Sequence, residues 1–150
     1  MMFEEMKHNK KIYFITADIG YGVLDAIRDT YPDRFLNVGC SEQLMIGVAL
    51  GLAYDGYIPV CYSITPFVIY RPFELIRNYV NHESTPIRLV GCGRNVDYAN
   101  YGISHDASDD IEILEPFKNI VKMKPDSLTL DVFREFLYHE NPTYLNLKRN

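Results

Sequence analysis

Apolar residues along this chain fall into short segments that alternate between two kinds of pattern. Compact apolar runs bounded by polar, Pro or Gly positions predict buried strands. Segments with apolar residues every three or four positions predict helices that pack one face against a core. The predicted strands lie at 11–17, 35–38, 57–63, 86–91, 120–123 and 142–147. The predicted helices lie at 21–30, 41–54, 72–81, 110–115 and 127–139.

Strands that alternate with helices predict an α/β fold with an open, mostly parallel sheet and helices on both faces. No internal repeat, low-complexity segment or linker interrupts the pattern, so residues 1–150 are expected to form a single domain. Ligands of such folds bind beyond the carboxyl ends of the strands. The loops at 39–42, 63–71 and 91–106 are therefore the expected location of a site.

Composition and charge exclude several classes of function. A net charge of -5 over 150 residues argues against a general binder of nucleic acid or of anionic membranes. The polar N-terminal segment lacks the apolar core of an export signal, and the apolar run at 44–54 is too short to span a bilayer. The three cysteines show no Cys-x-x-Cys spacing and the four histidines no zinc-ligand spacing. We therefore expect reduced cysteines, a cytoplasmic location and no metal site built by this chain alone.

Glu42 is the position most suggestive of chemistry. It opens the apolar run at 44–54, and the helix predicted there is expected to be buried on most sides. Free N–H groups and the helix dipole favour a carboxylate in such a first turn. Two interpretations follow from these residues: Ser41 caps the helix and Glu42 favours its first turn, or Glu42 is a buried carboxylate with a chemical role.

A series of short segments, in order, resembles the pyrimidine-binding domain of the transketolase family of thiamine-diphosphate enzymes. Deoxyxylulose-phosphate synthases and the β subunits of ketoacid dehydrogenases are similar at the same points. The resemblance covers almost the whole chain and implies the thiamine-diphosphate-binding fold of that domain. The segments lie at 16–20 (TADIG), 32–35 (PDRF), 38–43 (VGCSEQ), 51–53 (GLA), 102–105 (GISH), 109–111 (DDI) and 142–144 (PTY).

The resemblance implies three cofactor-binding residues. Glu42 matches the glutamate that hydrogen-bonds a ring nitrogen of the cofactor's aminopyrimidine and thereby activates the cofactor. A carboxyl group in an apolar pocket is suited to share a proton with that ring nitrogen, because burial disfavours the charged form of the carboxyl group. Phe67 matches the aromatic residue that stacks on the pyrimidine, and Tyr70, one helical turn on, would line the same pocket. The alternative is that Phe67 and Tyr70 are core residues of a strand-to-helix turn.

The resemblance also implies substrate contacts. His105 matches a histidine that faces the donor sugar, although a lone histidine in a loop is more often a surface residue. Arg71 and Arg94 fall where deoxyxylulose-phosphate synthases place arginines that hold a substrate phosphate, and each could instead pair with a surface acid. Tyr101 departs from the family pattern, because transketolases carry at that position an acid that holds the ketol donor.

No Gly-Asp-Gly motif, which in this family helps to anchor the diphosphate through a metal ion, occurs in the sequence. The resemblance therefore implies that a separate diphosphate-binding subunit holds Mg²⁺ and the diphosphate, and that the family's C-terminal domain is absent as well. We expect a subunit that is inactive alone and forms the homodimer core of a heterotetramer. Gly47 and Gly51 would permit close helix packing at that interface, or alternatively within the domain.

The reaction expected from the resemblance is transfer of a ketol or acyl unit between small sugar-type substrates. One alternative is a non-catalytic, dimerising paralogue that regulates such an enzyme. The other is an unrelated doubly wound domain that binds some other small ligand.

Overall fold

One six-stranded sheet organises the computed structural model, which describes residues 1–149. The spatial order is β2-β1-β3-β4-β6-β5, and every pair of neighbouring strands is parallel. This confirms the predicted fold class. The strands are β1 (Ile12–Thr16), β2 (Phe35–Asn37), β3 (Ile58–Ile64), β4 (Arg88–Cys92), β5 (Val121–Met123) and β6 (Thr143–Leu147).

Helices connect the strands and cover both faces of the sheet. A π-helical segment, Ile76–His82, continues α5, and single 3₁₀ turns occur at Pro32–Arg34, Ala99–Tyr101 and Ile103–His105. No helix within the described residues is both long and apolar enough to cross a membrane. The helices are α1 (Met2–His8), α2 (Asp25–Thr30), α3 (Glu42–Tyr54), α4 (Thr65–Tyr70), α5 (Phe73–Leu75), α6 (Asp110–Leu114) and α7 (Leu130–Tyr138).

Two apolar cores lie on opposite faces of the sheet, because successive strand residues point to opposite sides. In β1, Ile15 belongs to one core and Phe14 to the other. The Ile15 core includes residues of α3, α4 and the π-helical segment, among them Met45, Ile46, Val68, Ile69 and Ile76. The Phe14 core includes residues of α1, α2 and α7, among them Met6, Ile27, Phe133, Phe136 and Leu137.

Helix α3 departs from the prediction that it is buried on most sides. One face of the helix packs against the sheet, and the opposite face is open to solvent. The exposed positions are Gln43, Leu44, Gly47, Gly51 and Tyr54. The prediction was wrong because an apolar composition by itself does not show whether the cover comes from the same chain.

Other helices also differ from the predicted pattern. The helix predicted at 21–30 begins only at Asp25, because Gly20 and Gly22 adopt φ values of 98° and 75° that a helix does not tolerate. Helices α1 and α4 were not predicted: α1 lies in the polar N-terminal segment and α4 in the loop expected at 63–71.

The chain order of the strands places a crevice beside β1. The connection from β1 leads to β2 on one side, and α3 then carries the chain back to β3 on the other side. A parallel sheet binds ligands at such a reversal, outside the carboxyl ends of its strands. Glu42, at the start of α3, lies on this connection.

Candidate active site

Glu42 is the first residue of α3, and its side chain is only 2% exposed. Ser41 occupies the N-cap position but makes no side-chain capping hydrogen bond, so the geometry gives no support to the capping interpretation. The Glu42 carboxylate accepts a hydrogen bond from Ser63 Oγ, at the end of β3, over 3.3 Å. Arg71 Nη1 donates to both carboxylate oxygens, at 2.9 and 2.8 Å. The buried carboxylate is therefore fully engaged by groups of β3 and of the segment that follows α4.

Arg71 also covers an aromatic ring. Its guanidinium carbon lies 3.7 Å from the centroid of the Phe67 ring, a close cation–π contact. Phe67 precedes Arg71 by four residues, which places the two side chains on one face of the helix. The Arg71 side chain is 45% exposed, so the ion pair runs from the buried acid out to the solvent.

His105 joins the same group of side chains from the loop after β4. Its ring centroid lies 4.8 Å from that of Phe67, edge to face, and 5.1 Å from that of Tyr101. Ser104 Oγ lies 3.0 Å from His105 Nδ1. Glu42, Phe67, Arg71 and His105 thus form one continuous cluster, called the Glu42 cluster below.

Tyr70 lies at the edge of this cluster. Its hydroxyl donates a hydrogen bond to Asp109 Oδ1. Burial and the bond to the Asp109 carboxylate raise the pKa of Tyr70 well above its ordinary value. Tyr70 therefore ties α4 to the loop before α6, and its expected cofactor contact stays a prediction.

Arg94 lies apart from the Glu42 cluster and is buried. Its guanidinium donates to the carbonyl oxygen of Asn146 from two nitrogens, at 3.2 and 2.7 Å, and to that of Pro125 at 2.5 Å. These bonds join the end of β6 to the segment before α7. The substrate role expected of Arg94 stays a prediction, and this geometry does not favour it.

Arg71 also differs from expectation in its partner. Its guanidinium pairs through Nη1 with the buried Glu42 rather than with a surface acid, and the phosphate contact expected of Arg71 stays a prediction. The pattern around 63–71 could not reveal this pair, because the two residues lie on different elements.

Two groups of supporting residues were missed by the sequence analysis. Ser63 could have been noticed, because it is the polar residue that ends the strand predicted at 57–63. Asp110 could not, because its partners come from distant segments. It is fully buried and accepts hydrogen bonds from Lys124 Nζ and from Tyr144 Oη, each at 2.8 Å.

The Asp110 network reaches the start of α4. Asn146 Nδ2 donates to Tyr144 Oη at 3.1 Å and to Thr65 Oγ1 at 3.2 Å, and Thr65 Oγ1 donates to the Gly93 carbonyl at 2.6 Å. Burial, with the Asp110 charge, raises the pKa of Tyr144, so its hydroxyl stays protonated as a donor. Within the described residues Asn146 Oδ1 has no hydrogen-bond partner, but the donors of the network are paired, and buried hydrogen bonds of this kind hold their elements in place. This one fixes the first turn of α4, the helix that carries Phe67.

Residues 1–149 contain no group of three or more His, Cys, Asp or Glu side chains placed to hold a metal ion.

A family model decides which proteins this chain is related to. The model for the transketolase pyrimidine-binding domain matches residues 1–149. The chain belongs to this family. Enzymes of the transketolase family depend on thiamine diphosphate, and the match excludes the alternative of an unrelated doubly wound domain.

Individual relatives agree with this assignment. A putative transketolase C-terminal section from Methanocaldococcus jannaschii is 30% identical over 99% of this chain and 48% of that protein. An apulose-4-phosphate transketolase subunit from Actinobacillus succinogenes is 35% identical over 65% of this chain and 31% of that protein. A solved structure described as a split gene transketolase, inactive beta4 tetramer, superposes with a TM-score of 0.85 at 26% identity.

The pyrimidine-binding domain spans only part of these relatives. The structural match covers 99% of this chain but 49% of the tetramer's chain, and the sequence match covers 48% of the Methanocaldococcus jannaschii protein. The activities of these longer proteins can therefore only be proposed for this chain.

Proposed function

We propose that this pyrimidine-binding domain contributes Glu42 and Phe67 to a thiamine-diphosphate site shared with a second chain. The assembled enzyme would transfer a ketol or acyl unit between sugar-type substrates. The observation that carries the proposal is the Glu42 carboxylate, buried at a helix N-terminus and engaged by a flat donor that also covers Phe67. Relatives described as transketolase subunits support the two-chain arrangement.

The Glu42 cluster fits the aminopyrimidine of the cofactor. The Arg71 guanidinium is planar, donates N–H groups to the Glu42 carboxylate and lies against the Phe67 ring. An aminopyrimidine is also planar, can present an N–H donor and stacks on aromatic faces. Arg71 therefore makes the contacts with Glu42 and Phe67 that the pyrimidine ring would make.

Each residue of the cluster has a distinct task in this proposal. Thiamine diphosphate, when bound, supplies an electron sink for carbon–carbon bond making and breaking. The Glu42 carboxylate would accept a hydrogen bond from a ring nitrogen of the pyrimidine, and Ser63 Oγ, which donates to it over 3.3 Å, orients that carboxylate. The Glu42 side chain is only 2% exposed, and its burial strengthens the hydrogen bond. Phe67 supports the ring face.

His105 would act on the substrate. Its ring lies against Phe67, and its Nδ1 is engaged by Ser104, which orients the imidazole. Histidine is suited to move protons near neutral pH. We propose that His105 faces the donor sugar, and that Tyr101, beside it, changes how that donor is held.

A separate subunit is proposed to hold the diphosphate and Mg²⁺, and relatives described as transketolase subunits or as a split gene transketolase support it. The exposed face of α3 supports a homodimer core. A Cβ added at Gly47 or Gly51 would meet no atom within 4 Å, so packing within the domain does not require glycine there. Close approach of a helix from a second copy would require glycine at these two positions. The cysteines Cys40, Cys61 and Cys92 are unpaired, which agrees with the reducing cytoplasm that we propose as the location.

A non-catalytic, dimerising paralogue is the second candidate. Tyr101 favours it, because an exposed phenol stands 5.1 Å from the His105 ring, where the family pattern has an acid. This protein would bind a full-length relative and change its activity without turning over substrate itself.

Reconstitution separates the two candidates. The chain is purified with the product of its neighbouring gene and assayed with a panel of ketose and ketose-phosphate donors. A catalytic subunit gives turnover that falls by about 100-fold or more in Glu42→Gln, while Glu74→Gln, an exposed acid of α5, leaves it unchanged. Turnover that persists in Glu42→Gln would contradict the catalytic proposal. Modulation of a full-length relative without turnover would establish the paralogue.

A further inference from the structure

Arg71 occupies both of the surfaces that the proposed site reserves for the pyrimidine. We propose that its guanidinium competes with the cofactor's pyrimidine for Glu42 and Phe67, so that displacement of Arg71 sets the affinity for thiamine diphosphate. This inference rests on the proposed function.

The contacts make simultaneous occupancy impossible. Arg71 Nη1 binds both oxygens of Glu42, and the same guanidinium lies 3.7 Å from the Phe67 ring centroid. That separation is direct van der Waals contact, about 3.5–4 Å between flat groups. A pyrimidine ring cannot stack on that side of Phe67 and reach the Glu42 carboxylate while the guanidinium is present.

Arg71 is also the partner that can move. Its side chain is 45% exposed, whereas Glu42 is 2% exposed and fixed in the first turn of α3. Arg71 lies directly after α4, which ends at Tyr70, and before Pro72. Its long side chain can therefore turn outward into water without disturbing the core.

The ion pair gives displacement a measurable effect. A buried carboxylate without a partner is unfavourable, so Arg71 stabilises the cofactor-free pocket. The cofactor must replace that contact, and part of its binding energy is used in doing so. Removal of the guanidinium should strengthen cofactor binding, whereas a residue that merely supports the pocket would weaken binding when removed.

The test compares two arginines. The chain, assembled with its partner subunit, is titrated calorimetrically with thiamine diphosphate and Mg²⁺ as wild type, as Arg71→Gln and as Arg77→Gln. Arg77 is an exposed arginine that lies six residues further along the chain and bonds to Asn78. We expect the Kd of Arg71→Gln to fall about three- to tenfold, in line with a half-exposed charge-assisted contact. The Kd of Arg77→Gln should stay unchanged. An unchanged or raised Kd in Arg71→Gln overturns the inference.

A second measurement follows Arg71 directly. In ¹⁵N-arginine NMR spectra of the same assembly without cofactor, the ion pair should slow the exchange of the Arg71 Nη protons with water. Glu42→Gln should restore fast exchange. Saturating thiamine diphosphate should release them as well, and slowed Nη protons in the bound state would overturn the inference. A higher affinity of Arg71→Gln for thiamine diphosphate, together with release of the Arg71 Nη protons in the bound wild type, would establish the inference. If wild type binds the cofactor without a gain in Arg71→Gln, the inference alone fails. If none of the proteins binds thiamine diphosphate, the proposed function fails, and the inference with it.

Discussion

At the scale of single residues, Glu42 shows how neighbouring groups compensate a buried carboxylate. A buried carboxylate is tolerated when hydrogen bonds and a cation compensate for its lost hydration. Ser63 and Arg71 do so here, at the N-terminus of α3. Because Arg71 is half exposed, the pair itself contributes little to folding. The arrangement therefore serves the pocket more than the stability of the fold.

Stability and activity should respond differently to Glu42→Gln. The amide can keep the bond to Ser63, and the released Arg71 is accessible to water. We expect the free energy of unfolding, measured by urea denaturation, to change by less than about 1 kcal/mol while activity of the assembly is lost. Unfolding of Glu42→Gln under native conditions would show instead that Glu42 is mainly structural.

Gly91 is a residue whose size is fixed by its neighbours. An added Cβ would lie 2.5 Å from Thr65 Oγ1 and 3.1 Å from Tyr144 Oη, inside the network that positions α4. Gly91→Ala should therefore lower the free energy of unfolding by about 1–3 kcal/mol. Gly47→Ala is the matched control, because its Cβ meets open space on a helix and should be neutral or stabilising by up to about 1 kcal/mol in the isolated chain. Equal effects of the two substitutions in urea denaturation would contradict this account.

The meeting of Glu42, Phe67 and His105 was predictable in outline, because the carboxyl ends of parallel strands share one edge of a sheet. Their contacts were not. Arg71 binds Glu42 through a pairing between α3 and the end of α4, and Arg94 caps carbonyl groups of two distant segments. Pairings of this kind depend on tertiary distances that a single sequence does not contain.

At the scale of elements, the alternation of apolar runs predicted the sheet well because buried strands need nearly continuous apolar residues. Short helices were harder to predict from the sequence. Helix α1 has seven residues and α4 six, too few for their periodicity to stand out from the neighbouring turns. Helix α7 begins at Leu130 with Thr129 as its cap, instead of near 127, since two hydroxyl residues compete for the role.

Arg88 shows how a charged residue can lie in a strand predicted to be buried. Its guanidinium donates to the carbonyl groups of Leu137 and Asn141, each at 2.8 Å, and to that of His139, at the end of α7. Burial lowers the pKa of Arg88 to about 10, which still leaves it charged at neutral pH. The strand thus anchors the C-terminus of a helix.

The docking of α1 onto α7 should depend on pH. Glu5 accepts hydrogen bonds from Arg134 Nε and Tyr138 Oη, each at 2.7 Å. These bonds hold the pKa of Glu5 below its ordinary value of 4.5. A lowered pKa in the folded state means that the stabilisation is fully present above pH 4.5 and is lost as the pH falls through the folded-state pKa.

Glu5→Gln should therefore be less stable than wild type at pH 7, and the difference should shrink as the pH is lowered below about 4.5. Urea denaturation at several pH values measures it. Glu4→Gln, an exposed neighbour on α1, should show no such pH-dependent difference. A gap between Glu5→Gln and wild type that stays constant from pH 7 to pH 3 would contradict the assignment.

At the scale of the whole molecule, the proposed homodimer rests on the exposed face of α3. The α3 face carries Leu44, Gly47, Gly51 and Tyr54 without a charged side chain. That these glycines permit close packing could be predicted from the sequence, whereas the structure was needed to show that no atom of residues 1–149 lies within 4 Å of a Cβ added at Gly47 or Gly51.

Gly47→Leu tests the homodimer. The side chain would extend into open space in the single chain, so folding should be unaffected, but it would block close approach of a second α3 helix. We expect the dimer dissociation constant, measured by sedimentation velocity, to rise by about tenfold or more. Glu135→Leu, at an exposed position on α7, controls for added apolar surface. A Gly47→Leu dimer as tight as wild type would place the homodimer interface elsewhere.

The most direct test of the account is calorimetric titration of thiamine diphosphate and Mg²⁺ into this chain alone, and into its mixture with the product of the neighbouring gene. The account predicts binding in the mixture only, weakened strongly by Glu42→Ala. Tight binding by the chain alone, or binding in the mixture that Glu42→Ala leaves unchanged, would contradict it.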